Sequence, residues 1–373
     1  MRIVFTGGGT GGHFFPILAV AREIKRIAEE ERILDIQLFY FGPEATAPDV
    51  MREEEIVFAH VTAGKIRNYA SFWNIIDIFK ITFGILEALV KMFLVMPDIV
   101  FSKGGYGSFP TLVAAYIYRI PVILHASDAI PGKVERWAGR FARRIAISFP
   151  AAAELFSPGK TAITGIPIRR RILTGNADQA RESLGVFSRR PIVLIIGGSQ
   201  GARIINRIVV QILKQLTAEF EVIHQCGSRE FEDIGFDTAT ILKESGSGAY
   251  YHLLPFLDEA KMRDAYLLAD LVVSRAGATS IFEIAAVAKP SIVIPIKIAA
   301  QDHQRKNAYD YASHGAAIVI EEDNLTPSVL WNEIEKLMAD PTRRVKMSEA
   351  AKAFARLDAA ELIAREILTL GVH

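Results

Sequence analysis

Residues 2–13 read RIVFTGGGTGGH, in which an apolar run is followed by a glycine-rich turn and the start of a helical pattern. The same order returns at residues 192–203, which read IVLIIGGSQGAR. A strand, a glycine turn and a helix in succession are typical of dinucleotide-type α/β folds. Glycines let backbone N–H groups approach a phosphate, and the helix that follows adds the positive end of its dipole. The two turns therefore predict a phosphorylated ligand held between two such halves.

The composition favours a globular chain with two domains. Half of the 373 residues are hydrophobic and 23% are charged, which excludes a disordered chain. A net charge of +1 gives no reason to expect nucleic acid as a partner. The single cysteine, Cys226, excludes an intrachain disulfide and suits a reducing compartment. Because the first residues lack the pattern of a secretion signal, we expect a cytoplasmic protein.

Strand-like apolar runs alternate with helical patterns along the whole chain. This alternation predicts an α/β protein with two doubly wound parallel sheets. The predicted strands are 2–6, 36–41, 56–61, 98–102, 121–125, 144–148, 161–164, 191–196, 220–225, 249–253, 271–274, 291–295 and 317–320. The predicted helices include 13–30, 109–118, 202–216, 259–268, 279–287, 302–313 and 328–338.

The domain joint is predicted at 164–169, where glycine and proline interrupt the pattern just after a strand. We therefore expect an N-terminal Rossmann-like domain over 1–165 and a C-terminal one over 166–343. The stretch 344–370 is helical and amphipathic in pattern. We expect this terminal segment, 344–373, to pack back on the first domain.

The run 72–96 is unusual because only four of its 25 residues are charged. On a helix these charges share a narrow arc and the remaining surface is apolar. Charges in mid-helix disfavour a membrane span, but an apolar face near the basic stretch 133–144 suits docking on anionic lipid. The alternative is a helix buried among its own neighbours, with the arginines on a solvated face. The predicted docking residues are Phe72, Trp73, Phe79, Arg136 and Arg140.

Candidate functional side chains follow the glycine turns. His13 stands at the start of the first helix, where a histidine can act as a general base or can simply cap the helix. A third strand–turn–helix, 274–283, places Glu283 in the first turns of a helix. A carboxylate there can accept hydrogen bonds from a ribose diol or can simply complement the helix dipole. The polar residues 301–307 suit a hydroxyl-rich ligand or a polar helix start.

Neither a metal nor a cofactor is expected. The chain lacks D-x-D, the usual way to hold a sugar-nucleotide diphosphate through a divalent cation. His13, Asp302 and His303 lack the spacing of a ligand set. The first turn fits G-x-G-x-x-G, but an NAD site needs an acidic residue after the second strand, and Glu44 is a poor candidate. A metal-independent site would use backbone amides, helix dipoles and Arg169.

The chain resembles the MurG family over nearly its whole length. The motifs that carry the resemblance are 8–13 with Pro16, 104–106, 165–169, 197–202, 275–278, 283–286 and 302–308. The resemblance implies a GT-B fold, with two Rossmann-like domains facing a cleft. It implies an inverting transfer of GlcNAc from UDP-GlcNAc to the MurNAc 4-hydroxyl of lipid I, which gives lipid II for peptidoglycan. The implied place is the cytoplasmic side of the cell membrane, with an anionic lipid surface and other cell-wall synthesis proteins as partners.

The resemblance also implies roles for single residues. Diphosphate binding falls on the loop that contains Ser199, Gln200 and Gly201. Glu283 is the implied ribose ligand, and Phe256 with Leu257 the implied uracil-packing pair. Contacts to GlcNAc or its phosphates fall on Arg169, Ala278, Gln304 and Asn307. The acceptor side comprises Thr10, Gly11, Gly12, Tyr106 and His125, with His13 as the candidate base.

One motif departs from the family. Where the family usually has His-Glu-Gln-Asn, this chain has His125-Ala126-Ser127-Asp128. The glutamate is gone and the asparagine is an aspartate, so the sequence leaves the acceptor open. The change also makes Asp128 an alternative base or a partner that orients His13.

Other functions stay open from the sequence alone. A UDP-GlcNAc 2-epimerase would share the fold but would leave the 72–96 segment without a role. The altered 125–128 motif keeps open a transferase that uses another lipid acceptor, such as diacylglycerol. A non-catalytic sugar-nucleotide-binding subunit is disfavoured by the presence of both His13 and Glu283, and a nicotinamide dehydrogenase is disfavoured most.

Overall fold

The computed structural model describes residues 1–8, 11–33, 35–65, 72–198, 201–297 and 302–371, with only the backbone of 72–75. The chain forms two compact units. The first comprises Met1–Ile168 with Arg356–His373, and the second comprises Arg169–Ala355.

The first unit is built on a parallel sheet. Its strands are β1 (Arg2–Thr6), β2 (Gln37–Gly42), β3 (Ile56–His60), β4 (Ile99–Ser102), β5 (Val122–Ala126), β6 (Arg144–Ile147) and β7 (Thr161–Ile163). In the described residues the strand order is β3-β2-β1-β4-β5-β6-β7. Every residue of β4 and β5 is buried, as expected for parallel strands with helices on both faces.

Five helices of the first unit precede its joint with the second, counted over the described residues. They are α1 (Gly11–Glu31), α2 (Pro48–Glu53), α3 (Phe72–Val95), α4 (Phe109–Tyr118) and α5 (Lys133–Ala138). The apolar stripe of α1 packs Ile17, Val20 and Ile24 into a core with residues of β1 and β4. Full burial of each such side chain stabilises the fold by about 1.5–3 kcal/mol, so this stripe fixes the helix on the sheet.

The second unit repeats the architecture. Its strands are β8 (Ile192–Ile196), β9 (Glu221–Gln225), β10 (Tyr251–Leu254), β11 (Leu271–Arg275), β12 (Ser291–Ile294) and β13 (Ala317–Val319). They are parallel, in the order β10-β9-β8-β11-β12-β13. The helices are α6 (Ala177–Leu184), α7 (Arg203–Gln211), α8 (Leu213–Glu219), α9 (Phe231–Ser245), α10 (Glu259–Leu268), α11 (Ala278–Ala286), α12 (His303–Ser313), α13 (Pro327–Ala339) and α14 (Pro341–Phe354).

The chain ends in α15 (Ala359–Gly371), which packs on α1 in the first unit. Ile363 and Ile367 enter the same core as the α1 stripe. Arg365 adds an ion pair to Glu31 at 3.0 Å. The last helix is therefore part of the first unit.

In both sheets the strand order reverses beside the strand that precedes a glycine turn. β1 lies between β2 and β4, and β8 lies between β9 and β11. Crossovers leave such a strand toward opposite sides, and doubly wound folds bind ligands outside the carboxyl ends of strands at this point. Each unit thus presents a ligand-binding edge at its glycine turn.

All thirteen predicted strands are present in the described part of the chain, with ends that differ by two residues at most. The helix predicted over 202–216 is divided into α7 and α8. The terminal stretch is divided as well, between α14 and α15. Its first part stays with the second unit, contrary to expectation, because the ring of Phe354 packs against Phe282 at 5.0 Å and Tyr311 at 4.9 Å.

Candidate active site

His13 lies in the first turn of α1, at the carboxyl end of β1. Its ring fits against two glycines. A Cβ atom on Gly8 would lie 3.1 Å from Cε1 of His13, and one on Gly105 would lie 3.1 Å from Nε2. Gly105 also has a φ of +79°, which L side chains rarely adopt. Of the other turn residues expected on the acceptor side, Gly11 and Gly12 begin α1, and Thr10 lies outside the described residues.

Tyr106 begins a short helical turn directly after Gly105 and is half-buried. Burial, with a contribution from the charge of Glu44, raises the pKa of its hydroxyl. The phenol is therefore a hydrogen-bonding group at neutral pH. Its place at the carboxyl end of β4 agrees with the predicted acceptor side.

His125 is the fourth residue of β5 and is completely buried. Its Nε2 lies 2.8 Å from the carbonyl oxygen of Gly165, and its Nδ1 lies 2.8 Å from Nζ of Lys103. A carbonyl oxygen only accepts, so Nε2 carries the proton, Nδ1 accepts and Lys103 donates. Burial, reinforced by Lys103, lowers the pKa of the imidazole well below its ordinary value. His125 is thus a neutral structural link, with both ring nitrogens bound within the first unit; its expected role as an acceptor contact stays a prediction.

Two charged residues beside this histidine were missed from the sequence. Lys103 is 1% exposed and also donates a hydrogen bond to Oγ of Ser127. Burial lowers the pKa of Lys103 to about 7, against the opposing charges of Asp128 and Glu135. Burial also raises the pKa of Glu135, whose Oε1 accepts a hydrogen bond from the amide of Gly105 at 3.2 Å.

The signal for this cluster was a lysine directly after a buried strand and directly before two glycines. Asp128, the alternative base, follows β5 and is half-buried. The structure thus brings His13, Tyr106 and Asp128 to the carboxyl ends of β1, β4 and β5. These groups can hold a hydroxyl-bearing ligand and take a proton from it.

The glycine turn of the second unit adopts a backbone conformation that glycine takes readily and other residues do not. Gly201 has a φ of +76°, and its amide donates to the carbonyl of Gly198 at 3.0 Å. A Cβ atom on Gly201 would overlap the carbonyl oxygen of Cys226. The turn leads into α7, so amides and a helix N-terminus face the same edge. Ser199 and Gln200 lie outside the described residues.

Glu283 and Arg169 are buried and bound to each other. Nη2 of Arg169 donates to Oε1 of Glu283 at 2.8 Å, and the Tyr266 hydroxyl approaches Oε2 at 3.4 Å. The two were expected in separate roles, on the sugar phosphates and on the ribose. The structure pairs them because a buried carboxylate needs a cation and a second donor to offset its lost hydration.

The other predicted donor-side residues divide into fixed and accessible groups. Asn307 is buried and its amide donates to the carbonyl of Ala276 at 3.4 Å, while Gln304 accepts from the amide of Ile296 at 3.1 Å. Both side chains therefore fix loops that follow strands. Phe256 is 44% exposed, and Leu257 belongs to the hydrophobic core. Of that predicted pair, only the phenylalanine has an exposed side chain.

Ala278 begins α11 and is buried. It can therefore contribute to a site through the backbone N–H groups at the start of the helix rather than through its side chain. Within the described residues no group of three or more His, Cys, Asp or Glu side chains is placed to hold a metal ion.

A second distinctive surface lies on α3. Two of its charges point toward the protein: Glu87 accepts from the amide of Thr62 at 2.7 Å, and Lys91 donates to the carbonyl of His60, whereas Lys80 is exposed. Seven of its apolar side chains are more than half exposed: Ile78, Phe79, Phe83, Leu86, Val90, Phe93 and Leu94. The alternative of a helix buried on all sides is therefore wrong.

The side chains of Phe72 and Trp73 lie outside the described residues. Arg136 and Arg140 are exposed, on and after α5. Among the described helices, none combines the length and the apolarity that a membrane crossing requires.

Comparison with known proteins identifies the family. The N-terminal domain model of glycosyltransferase family 28 matches residues 3–147, and the C-terminal domain model matches residues 192–363. A Legionella pneumophila (strain Paris) protein named UDP-N-acetylglucosamine--N-acetylmuramyl-(pentapeptide) pyrophosphoryl-undecaprenol N-acetylglucosamine transferase is 36% identical over 339 residues, which cover 90% of this chain and 88% of that protein. The chain belongs to the MurG family of glycosyltransferases.

Solved structures agree with MurG-family membership. The crystal structure of Acinetobacter baumannii MurG is 27% identical, with a TM-score of 0.72 and 99% of each chain covered. A Neisseria meningitidis UDP-GlcNAc 2-epimerase bound to UDP-GlcNAc has a TM-score of 0.68 at 12% identity, covers 99% of this chain and is itself covered entirely. At that identity the likeness shows the fold alone. The predicted fold class, two parallel-sheet α/β domains of the GT-B kind, is confirmed.

Proposed function

We propose that this protein transfers GlcNAc from UDP-GlcNAc to the MurNAc 4-hydroxyl of lipid I and so makes lipid II for peptidoglycan. The observation that carries the proposal is the half-buried His13, seated on two glycines at the switch point of the first sheet in a MurG-family chain. A histidine so placed suits deprotonation of an acceptor hydroxyl.

Donor binding is assigned to the second unit. The amides of the 197–201 turn and the N-terminus of α7 would hold the diphosphate without a cation. Glu283 would accept hydrogen bonds from the ribose diol. An ionised carboxylate offers about four lone-pair sites, so the bond from Arg169 leaves acceptor capacity for a ribose hydroxyl. Phe256, with its exposed ring, would pack on uracil.

The reaction is a single displacement at the anomeric carbon. A base, His13 or Asp128, takes the proton from the acceptor hydroxyl as its oxygen bonds to that carbon. The bond to the diphosphate breaks, and UDP leaves with the electron pair, its charge stabilised by the amides of the 197–201 turn. One displacement inverts the configuration, so the new bond is β. The departure of the 125–128 motif bears on which base acts, since Asp128 stands within the acceptor-side cluster.

The apolar face of α3 supports a place on the cytoplasmic surface of the cell membrane. Seven apolar side chains of that face are more than half exposed. Exposure of so much apolar surface to water is unfavourable unless a partner covers it. A groove near α4 combines Arg119 and Arg143 with the rings of Tyr116 and Phe141. Arginines beside apolar surface suit an anionic lipid headgroup, as do the exposed Arg136 and Arg140.

The transfer is tested by measuring UDP release from UDP-GlcNAc with and without a lipid I analogue, with mass spectrometry of the lipid product. We expect release to depend on the analogue and the product to gain one GlcNAc. Release without the analogue, or GlcNAc converted to its 2-epimer, would contradict the proposal. A diacylglycerol arm tests the other lipid acceptor, and a chelator arm tests independence of metal.

A further inference from the structure

A lysine occupies the centre of the polar cluster at the carboxyl ends of β4 and β5. Lys103 is almost fully buried, and the described residues give its amine two neutral hydrogen-bond partners, Nδ1 of His125 and Oγ of Ser127. A methionine would fill similar space without the free energy needed to bury an amine. Packing alone therefore does not explain a lysine at this position.

The hydrogen bonds of Lys103 converge on one short turn. His125, the next-to-last residue of β5, is anchored to the carbonyl of Gly165, and Oγ of Ser127 accepts a hydrogen bond from the lysine. Asp128 follows directly. The amine of Lys103 thus bonds both His125 and Ser127, and these bonds fix the position of the Asp128 backbone.

Several titratable groups face the lysine. Asp128 and Glu135, from the turn after β5 and from α5, act on it through their charges. His125 contacts it from β5. Cβ of His13, from α1, and Cβ of Lys103 both lie beside Gly7. A charge on Lys103 therefore acts on Asp128, one of the two candidate bases of the transfer reaction.

We propose that Lys103 is the positioning residue of the acceptor site, holding the 125–128 turn through His125 and Ser127 and placing a positive charge beside Asp128. It does not touch the acceptor, because it is buried beneath the turn. This inference rests on the proposed transfer reaction. The hydrogen-bond partners of Lys103 among the described residues, His125 and Ser127, belong to the first unit, whereas donor binding is proposed for the second. We therefore expect donor binding to be independent of Lys103.

The test compares Lys103→Met with wild type in the lipid I transfer assay. We expect kcat/KM for the acceptor to fall by about tenfold or more, the scale of a lost hydrogen bond to a charged group. The KM for UDP-GlcNAc should stay within about twofold, since the change is confined to the first unit. Lys289→Met is the matched control, because that partly buried lysine donates to the carbonyl of Leu267, away from both glycine turns; it should retain wild-type kinetics.

A pH series separates positioning from a purely structural role. Burial holds the pKa of Lys103 near 7, so the substitution removes hydrogen bonds and a charge at pH 6 but only hydrogen bonds at pH 9. We expect the loss in acceptor kcat/KM to be larger at pH 6 than at pH 9. The inflection should match the lysine signal that titrates in NMR spectra of the ¹³C-labelled wild type and disappears in Lys103→Met.

Thermal melting and UDP binding show whether Lys103→Met folds. If it does not, Ser127→Ala provides the test instead. This variant should lower acceptor kcat/KM about threefold or more, in line with one hydrogen bond, with unchanged donor KM. Wild-type acceptor kinetics in either folded variant, or a loss that is equal at all pH values, would overturn the role of Lys103. A wild-type protein that transfers nothing to lipid I would instead overturn the proposed function.

Discussion

The two glycine-turn edges of this protein differ in how their charges are held. In the first unit, burial lowers the pKa of Lys103 to about 7 and raises that of Glu135, and both lie near a histidine and an aspartate that can serve as bases. In the second, Arg169 and Glu283 form a buried ion pair. Buried groups with shifted pKa values suit a site of proton transfer, and a buried ion pair suits binding. The same strand–turn–helix unit thus supports two chemical tasks, according to the side chains placed around it.

The largest expected effect is on turnover, from the first unit. His13→Ala or Asp128→Ala should lower kcat by about a hundredfold or more, as expected for loss of a general base. The variant with the greater loss identifies the base. Full turnover in both variants would refute the assignment of proton transfer to the first unit. It would also refute the contrast between the two glycine-turn edges.

The next effect is on donor affinity, from the second unit. Gly201→Ala should weaken UDP binding about tenfold or more, because the added Cβ overlaps the Cys226 carbonyl oxygen and the φ of +76° is strained for alanine. Gly246→Ala is the matched control: its φ is +66°, and nothing lies within 4 Å of the added atom. It should lower stability by about 1–2 kcal/mol and leave UDP affinity unchanged. Equal affinities in the two variants would refute the role of the turn.

Binding to lipid vesicles should also depend on the first unit and not on the second. A variant with Phe79→Ser, Phe83→Ser and Phe93→Ser should bind anionic vesicles about tenfold more weakly, since each ring loses apolar surface to bury. Its turnover with a short-chain acceptor in solution should be unchanged. Phe187→Ser with Phe236→Ser, at exposed positions of the second unit, should bind vesicles as wild type does. Undiminished binding of the α3 variant in a sedimentation assay would refute the docking face.

The last expected effect is on the pH dependence of stability rather than on turnover or binding. The pKa of Lys103 is about 7 when folded and near 10.5 when unfolded, so between these values the unfolded chain binds the extra proton. Stability from this residue therefore rises with pH across that window, by at most about 1.4 kcal/mol per pH unit. Urea unfolding of wild type and Lys103→Met at pH 7 and pH 9 should show wild type gaining relative to the variant. A constant difference would mean that the lysine titrates normally.

The sequence predicted the fold well for a local reason. Apolar runs that end in glycine, such as 192–196, mark buried parallel strands without knowledge of their neighbours. Helix boundaries were harder where packing decides them. The break between α14 and α15 depends on Phe354 packing in the second unit, which no local pattern contains.

The site was predicted less completely because its contacts are remote in sequence. His13 and Asp128 stand out by their place after strands. Lys103 reaches across 22 residues to His125, and Arg169 reaches across 114 to Glu283. The burial of His125 and Leu257 likewise depends on the assembled core, which no local pattern contains.

The most direct test of the division between the two edges is calorimetric titration of UDP-GlcNAc into His13→Ala and Glu283→Gln. We expect His13→Ala to bind within about twofold of wild type and Glu283→Gln to bind about tenfold more weakly, the scale of a hydrogen bond to a charged group. Donor affinity lost equally in both variants, or unaltered in Glu283→Gln, would contradict the assignment of binding to the second unit and proton transfer to the first.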